Sequence, residues 1–446
     1  MDVDWTKNSP RAVEMLQALL RIDTRNPPGN ERPAAEYIAG QLRAYGLEPR
    51  FIEGRADRTN VICRIEGTGE RAPLLLTGHT DVVPVEEQHW DQPPFAGNIV
   101  NGYLFGRGAI DMKNHVTACL TMVQLLAEQG VRPRRDVIFA AVADEEEGCT
   151  WGSRYLVENH PDEVRAEYMI GEIGGFTQYI NGLRYYPIQI AEKGAARIKM
   201  IARGKPGHGS MPHPEMAITR LAQALSVLGT TRLPQHSSKA MERFIGVLAS
   251  TQRPPARWVL PRLLNPRLSG VLLDRALPPD LSRVIGALLH NTVSPTMLEG
   301  GVKFNVIPSE VSCLLDGRLI PGQSAEDLLR ELRALVGELV EFELLDAYPG
   351  VEQRDPASPL YTAMVDSLAK FDPAGIPLPN MVPGFTDAQF FSRLGIRCYG
   401  FSPLQFPEAD NVRFSELFHG HNERIHVDGF RWGLKVLWEV VRRMVL

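Results

Sequence analysis

The chain has 446 residues, with 48 Lys and Arg against 53 Asp and Glu, a formal net charge of −5, 44% hydrophobic and 23% charged residues, and eleven His. At ~100–200 residues per domain, this length predicts two or three domains and a large core. The composition excludes a disordered chain, a collagen-like fibre and a polybasic nucleic-acid binder, and it raises the question of whether some imidazoles and carboxylates converge.

The start, MDVDWTKNSP, has no basic region leading into an apolar stretch, so a secretory signal is not expected, and no run reaches the ~20 apolar residues that span a bilayer. Residues 11–20 and 32–45 carry apolar side chains at a 3.6 period and predict helices, the second closed by Gly46. Residues 73–77 (PLLLT) and 136–143 (DVIFAAVA) are near-continuous apolar runs, as expected of strands buried on both faces, and residues 116–128 between them predict a helix. This alternation predicts an α/β domain, in which ligands collect beyond the carboxyl ends of the strands.

After Gly194 the pattern changes to that of an α+β insert. Strands are expected at 196–202, 301–305 and 311–319, and helices at 214–228 and 325–336. Residues 253–290, RPPARWVLPRLLNPRLSGVLLDRALPPDLSRVIGALLH, are rich in Leu, Pro and Arg. They read either as an irregular helical elaboration of the insert or as a cationic, apolar surface at the entrance to a site. From about residue 350 the α/β alternation resumes, ending in an amphipathic helix over residues 430–446. Cys63, Cys119, Cys149, Cys313 and Cys398 are scattered and never form C-x-x-C, which points to reduced thiols in the cytoplasm.

The chemistry-bearing strings fall where these elements stop. GHTD (78–81) ends the first apolar run and sets Asp81 two residues beyond His79. A carboxylate accepting the second ring N–H of a metal-bound His fixes its tautomer; a structural His beside a surface Asp is the plainer reading. GRGAIDMKN (106–114) opens a helix with Asp111 at its start, as a ligand or as an ordinary N-cap. It lacks the last glycine and the preceding strand of a dinucleotide fingerprint.

DEEEG (144–148) leaves the second apolar run with four adjacent carboxylates, which repel one another unless cations neutralise them or water solvates the turn. Successive extended residues point oppositely, so one of Glu145 and Glu146 is placed to bind metal while the other handles protons. Glu172, in MIGEIGG, is another carboxylate leaving an apolar strand, and FHGHNERI (418–425) brings two His and a Glu together. H-E-x-x-H, G-x-S-x-G and G-x-x-x-x-G-K-[ST] are all absent, so a serine or cysteine triad has little support. A His and carboxylate set suits zinc at a hydrolytic site.

In this order the chain carries GHTDVVP (78–84), GRGAIDMK (106–113), DEEEG (144–148), PGHGS (206–210), NVIP (305–308), DGR (316–318), GFTDA (384–388) and HGHNERI (419–425). It thereby resembles the dizinc metallohydrolase family that contains aminoacylase, carboxypeptidase G and acetylornithine deacetylase / succinyl-diaminopimelate desuccinylase. The resemblance implies a zinc-peptidase-like three-layer α/β catalytic domain, residues 1–193 and 350–446, interrupted by an α+β lid and dimerisation domain, residues 194–349. It implies two Zn²⁺ per subunit, with Co²⁺ or Mn²⁺ able to substitute. Asp111 bridges them, His79 and Glu172 complete one site, and Glu146 and His419 complete the other.

Asp81 orients His79, Glu145 is the general base, and His208 helps polarise the scissile carbonyl, often from a neighbouring subunit. Asn305 and Arg318 match positions that hold a substrate carboxylate, and Gly384 to Thr386 match a loop lining the pocket. Two departures stand out: Asn114 replaces a common glycine, and His421 replaces a small apolar residue, with His419 favoured as the ligand. His89, His115, His160, His213, His236, His290 and His426 are read as surface or structural.

The expected activity is hydrolysis of an amide bond next to a free carboxylate, in an N-acyl amino acid or at a peptide C-terminus. The expected enzyme is a cytoplasmic homodimer, joined through the lid domain, that takes a small-molecule or short-peptide substrate with a free carboxylate, binds no nucleic acid and has no membrane span. A dipeptidase reading a free α-amine is the rival within hydrolases, and a catalytically silent binding protein on the same fold is the rival outside them.

Overall fold

The computed structural model describes residues 3–353, 357–410, 412 and 414–446. The chain forms two compact units. One comprises Met1–Ile190, Asp355–Pro379 and Thr386–Leu446, and the other Ala191–Arg354 with Asn380–Phe385. Residues 380–385, and Gly384 with them, therefore group with the second unit, although the sequence pattern puts them in the first.

The first unit is built on a mixed sheet. Four strands run parallel in the spatial order Val137–Val142, Leu74–His79, Tyr168–Gly171, Arg397–Gly400. Arg58–Ile65 and Arg50–Arg55 extend one side antiparallel, and Leu183–Glu192 meets the other side antiparallel at Gln189 and Gly400. Every residue of the first three parallel strands is buried, which is why their sequences are apolar runs and do not alternate.

The helix Lys113–Gln129 packs on Leu74–His79 and Val137–Val142 and against Trp5–Leu20 and Val427–Val445. Helix Ala388–Phe391 packs on Tyr168–Gly171 and Arg397–Gly400. Because the four strands are parallel, their carboxyl ends share one edge. The register sets His79 opposite Val142 and Leu76 opposite Ile170, so the DEEEG turn and Glu172 emerge beside His79.

The C-terminal helix carries a buried carboxylate, Glu439, which accepts hydrogen bonds from Arg442, Arg443 and, on helix Pro359–Phe371, Lys370. Burial alone would raise its pKa from 4.5, but these three cations outweigh it and lower it to about 2. A depressed carboxylate contributes stability that is complete above the unfolded value and fades as the pH falls through the folded one. Glu439→Gln is therefore expected to flatten the acid limb of a urea-stability profile between pH 4.5 and about 2. An unchanged slope over that window would contradict this.

In the second unit an antiparallel sheet runs Thr292–Gly300, Glu310–Leu319, Gly194–Arg203, Glu341–Tyr348. Helices Ala217–Thr230 and Ala325–Val336 cover it, closing a core that includes Ile198, Met200, Leu221, Leu315, Leu328 and Leu332. Ser324 and Asp327 form a reciprocal capping box at the start of the second helix. Residues 253–290 are helical, with Ala256–Val259, Pro266–Arg275 and Pro279–Leu289 as their α-helices.

The strand expected at 301–305 is instead a turn. The chain has already paired over Thr292–Gly300, and Gly301 adopts a φ of 77° that ends the ladder, leaving Val302 and Phe304 exposed.

Candidate metal centre

At the shared strand edge the first unit gathers five candidate ligands from five separate segments. His79 is fully buried, with Nε2 3.1 Å from Asp111 Oδ1 and 3.5 Å from Glu172 Oε2. Its other nitrogen, Nδ1, lies 3.0 Å from the Asp81 carbonyl oxygen and 3.4 Å from Asp81 Oδ1, which leaves Nε2 as the outward lone pair.

His419 has a φ of 58° and sets Nε2 3.1 Å from Glu146 Oε2 and 3.3 Å from Asp111 Oδ2. Asp111 thus turns one oxygen toward each histidine. Glu145 Oε2 stands 3.9 Å from His79 Nε2. Among the described residues, two sets of converging donors emerge: His79, Glu145, Glu172, and His79, Asp111, Glu146.

The electrostatics of these groups are what cations would relieve. Burial, with Glu172 nearby, pushes the Glu145 carboxyl well above its usual range. Burial and Asp111 push Glu146 up to about 7, and burial raises Glu172 to about 8 against the pull of His79. Hydrogen bonds to Asp111 and Glu146 raise His419 to about 10. Asp111 is desolvated too, yet its bonds to His419 and His79 hold it below the ordinary carboxylate range. Glu146 Oε1 is buried without a hydrogen-bond partner. A buried acceptor left unpaired beside raised carboxyls and outward imidazole nitrogens fits divalent cations of the zinc type.

Asp81 stands beside His79, and the sequence does not reveal what holds it. Its oxygens accept from the Glu145 and Glu146 amides at 3.1 Å each and from Asn26 Nδ2 at 2.9 Å. Asn26 also donates to Asp144 Oδ1 and accepts from the Arg58 guanidinium, which pairs with both Asp144 and Glu31. Glu31, fully buried, is pushed up to about 8 by burial and by Asp81, with Arg58 opposing.

Glu423 clasps the Asp111 loop. It accepts from the amides of Gly108, Ile110 and Asp111 and from Arg107 Nη1 at 2.7 Å. Its only sequence signal is its place in HGHNERI. Asn26, Glu31 and Arg58 have none, because their partners lie far along the chain. Gly152 is the other quiet requirement: a Cβ there would stand 1.8 Å from the Ala143 carbonyl oxygen, where the acidic turn leaves its strand.

The helix after Asp111 starts at Lys113, so Asp111 lies in the preceding loop and not in the first turn. Asn114 is buried in that helix with Oδ1 unpartnered, while exposed His421 pairs its ring with that of His89 at 5.1 Å. Asp387 is buried next to Thr386, whose Oγ1 accepts from the Ala388 amide.

His208, Asn305, Arg318 and Gly384 belong to the second unit. There Gly207–His208 pairs with Val306–Ile307, which joins the PGHGS and NVIP motifs and sets the Gly209 amide on the Asn305 carbonyl at 2.9 Å. Arg318 is engaged by Asp316 at 2.9 Å and lies over the Phe385 ring.

The chain is similar to known proteins over most of its length. Over 385 residues, 83% of this chain and 74% of the relative, the chain is 30% identical to the N-fatty-acyl-amino acid synthase/hydrolase PM20D1 of Homo sapiens. Over 434 residues, 95% of this chain and 93% of the relative, it is 27% identical to aminoacylase-1 of Mus musculus. Its fold matches the crystal structure of an M20 family metallo-carboxypeptidase from Sulfolobus solfataricus with a TM-score of 0.72 at 19% identity, covering 97% of this chain and 98% of that one. Residues 75–443 match the model of peptidase family M20/M25/M40, and the chain belongs to that family.

Proposed function

We propose that the chain is a dinuclear zinc hydrolase that cleaves the amide bond of N-acyl amino acids, releasing the free amino acid. The observation that carries this reading is the Asp111 carboxylate, divided between one His and carboxylate pair, His79 with Glu172, and a second, His419 with Glu146. His79, Asp111 and Glu172 would hold one ion, and Asp111, Glu146 and His419 the other. Bound there, the ions would acidify a shared water and draw electron density from the scissile carbonyl.

Asp81 fixes the tautomer of His79 and, by accepting both the Glu145 and Glu146 amides, spaces the proton carrier from its ligand neighbour. Glu145, its affinity for protons raised by burial, takes the proton of the attacking water and delivers it to the departing amine. Asn305 and Arg318 receive the substrate carboxylate, His208 supports the scissile carbonyl, and Gly384 to Thr386 line the pocket. Ser210 Oγ holds His208 Nδ1 at 2.7 Å, consistent with its Nε2 serving substrate. The name of the human relative, which concerns N-fatty-acyl amino acids, supports a bulky apolar acyl group.

A hydrolysis panel tests this: long-chain and acetyl N-acyl amino acids, their carboxyl methyl esters, and free dipeptides, before and after chelation. The expected result is turnover of the N-acyl amino acids with a free carboxylate, loss of turnover on chelation and recovery with Zn²⁺ or Co²⁺. Preference for free dipeptides would replace the reading with a dipeptidase. No turnover of any member by the metal-loaded chain would favour a silent binding protein.

We also infer a homodimer through the second unit. Its edge strand, Thr292–Gly300, and the turn after it expose Met297, Leu298, Val302 and Phe304. Sedimentation should give the mass of two chains. All five cysteines are buried and none is in a disulfide among the described residues, which supports a cytoplasmic setting. Among the described residues, no helix is long and apolar enough to cross a membrane.

A further inference from the structure

Residues 253–290 of the second unit hold six cations, Arg253, Arg257, Arg262, Arg267, Arg275 and Arg283, against Asp274 and Asp280, a local charge of +4 in a chain of −5. Pro266–Arg275 buries one side and leaves the other apolar as well as basic. Along Pro266–Arg275, Ser269 and Leu273 are buried, while Leu268 and Val271 are exposed three residues apart, with exposed Arg267 and Arg275 four residues to either side of Val271. That spacing puts all four on one face.

Pro279–Leu289 adds further exposed apolar and basic side chains. Ile285, Leu288 and Leu289 are buried, while Leu281, Arg283 and Val284 are exposed. Trp258 is exposed on Ala256–Val259, where Arg262 donates to its carbonyl oxygen. These helices pack on one another or on the turn Leu260–Leu264, so the exposed Trp, Leu, Val and Arg belong to one compact helical layer.

We propose that this layer docks on anionic lipid surfaces, lying in the interface with Trp258, Leu268, Val271, Leu281 and Val284 in the headgroup and acyl boundary. Charge complementarity selects this occupant. The arginines reach phosphates while their stems stay among the apolar side chains, and a Trp at the rim is suited to the interface. A second copy is disfavoured, because a two-fold contact would set the arginine-rich face against itself. Phosphate binding alone would leave the exposed Leu and Val without a role. Docking is independent of the hydrolytic reading, because vesicle binding is measured without turnover.

The test is co-sedimentation of the full chain with vesicles of phosphatidylcholine alone and of phosphatidylcholine mixed equally with phosphatidylglycerol. Binding to the mixed vesicles at low salt, weakened by added salt, is expected. Two double variants, Arg267→Glu with Arg275→Glu and Leu268→Asp with Val271→Asp, should each weaken it by on the order of tenfold or more. Thermal unfolding and hydrolysis of a soluble substrate should be unchanged, which separates lost docking from lost folding. Failure of the wild type to sediment with the mixed vesicles at low salt would overturn the proposal. So would wild-type binding by both variants, or a change in the vesicle-free sedimentation mass caused by the variants, which would mean that a second copy covers the face.

Discussion

Glu145→Gln is expected to lower hydrolysis by on the order of 10²–10⁴ while bound metal is retained. The substitution keeps the shape of the side chain and the hydrogen bond that the backbone N–H of residue 145 donates to Asp81, so the loop that carries Glu146 stays in register. What it removes is a carboxylate that stands 3.9 Å from the outward nitrogen of His79 and that the proposed ligand set leaves without a metal role. Its burial, with the Glu172 carboxylate close by, gives Glu145 the raised proton affinity a general base needs near neutral pH. Metal analysis and kcat on one preparation check the point. Loss of metal together with activity would make Glu145 a ligand and assign the proton to another group.

The second large effect is on stability. Arg58→Met should cost about 3–5 kcal/mol of unfolding free energy, because it leaves the buried Glu31 and Asp144 carboxyls without their shared cation. Urea unfolding reads this directly. Adding Glu31→Gln should recover part of the loss by removing one of the stranded acids, whereas a double variant no more stable than Arg58→Met would show that Glu31 is not the source of the cost. Because Arg58 also donates to Asn26, which holds Asp81, the single variant should weaken metal binding in the surviving folded protein.

The candidate ligands His79, Glu146 and Glu172 stand out in the sequence because each sits within a few residues of the end of an apolar strand, and Asp111 because it lies just before a helix, whereas His419, past the short helix Phe414–Leu417, has only its motif to mark it. Parallel pairing alone then brings His79, Glu146 and Glu172 to one edge. The Arg58, Glu31, Asn26 and Asp144 network was not legible. Its members belong to different elements: the register of Arg58–Ile65 against Val137–Val142 brings Arg58 toward Asp144, while backbone bonds to Val82 and Asp57 bring in Asn26 and Glu31.

Glu423 lay in plain view inside HGHNERI, but its role depends on the amides of Gly108, Ile110 and Asp111, which no local pattern announces. The misread strand at 301–305 shows the opposite weakness. Val302 and Phe304 carry a strand's apolar signal, but here they are exposed residues of a turn.

In the dinuclear reading proposed above, Asp111 stands between two ions, one held with His79 and Glu172 and the other with Glu146 and His419. Anomalous scattering at the zinc edge, from crystals grown with Zn²⁺, addresses it most directly. Two peaks are expected flanking the Asp111 carboxylate, each about 2.0–2.2 Å from its assigned imidazole nitrogen and carboxylate oxygens. A single peak, or two peaks that leave Asp111 or His419 out of ligand range, would contradict it.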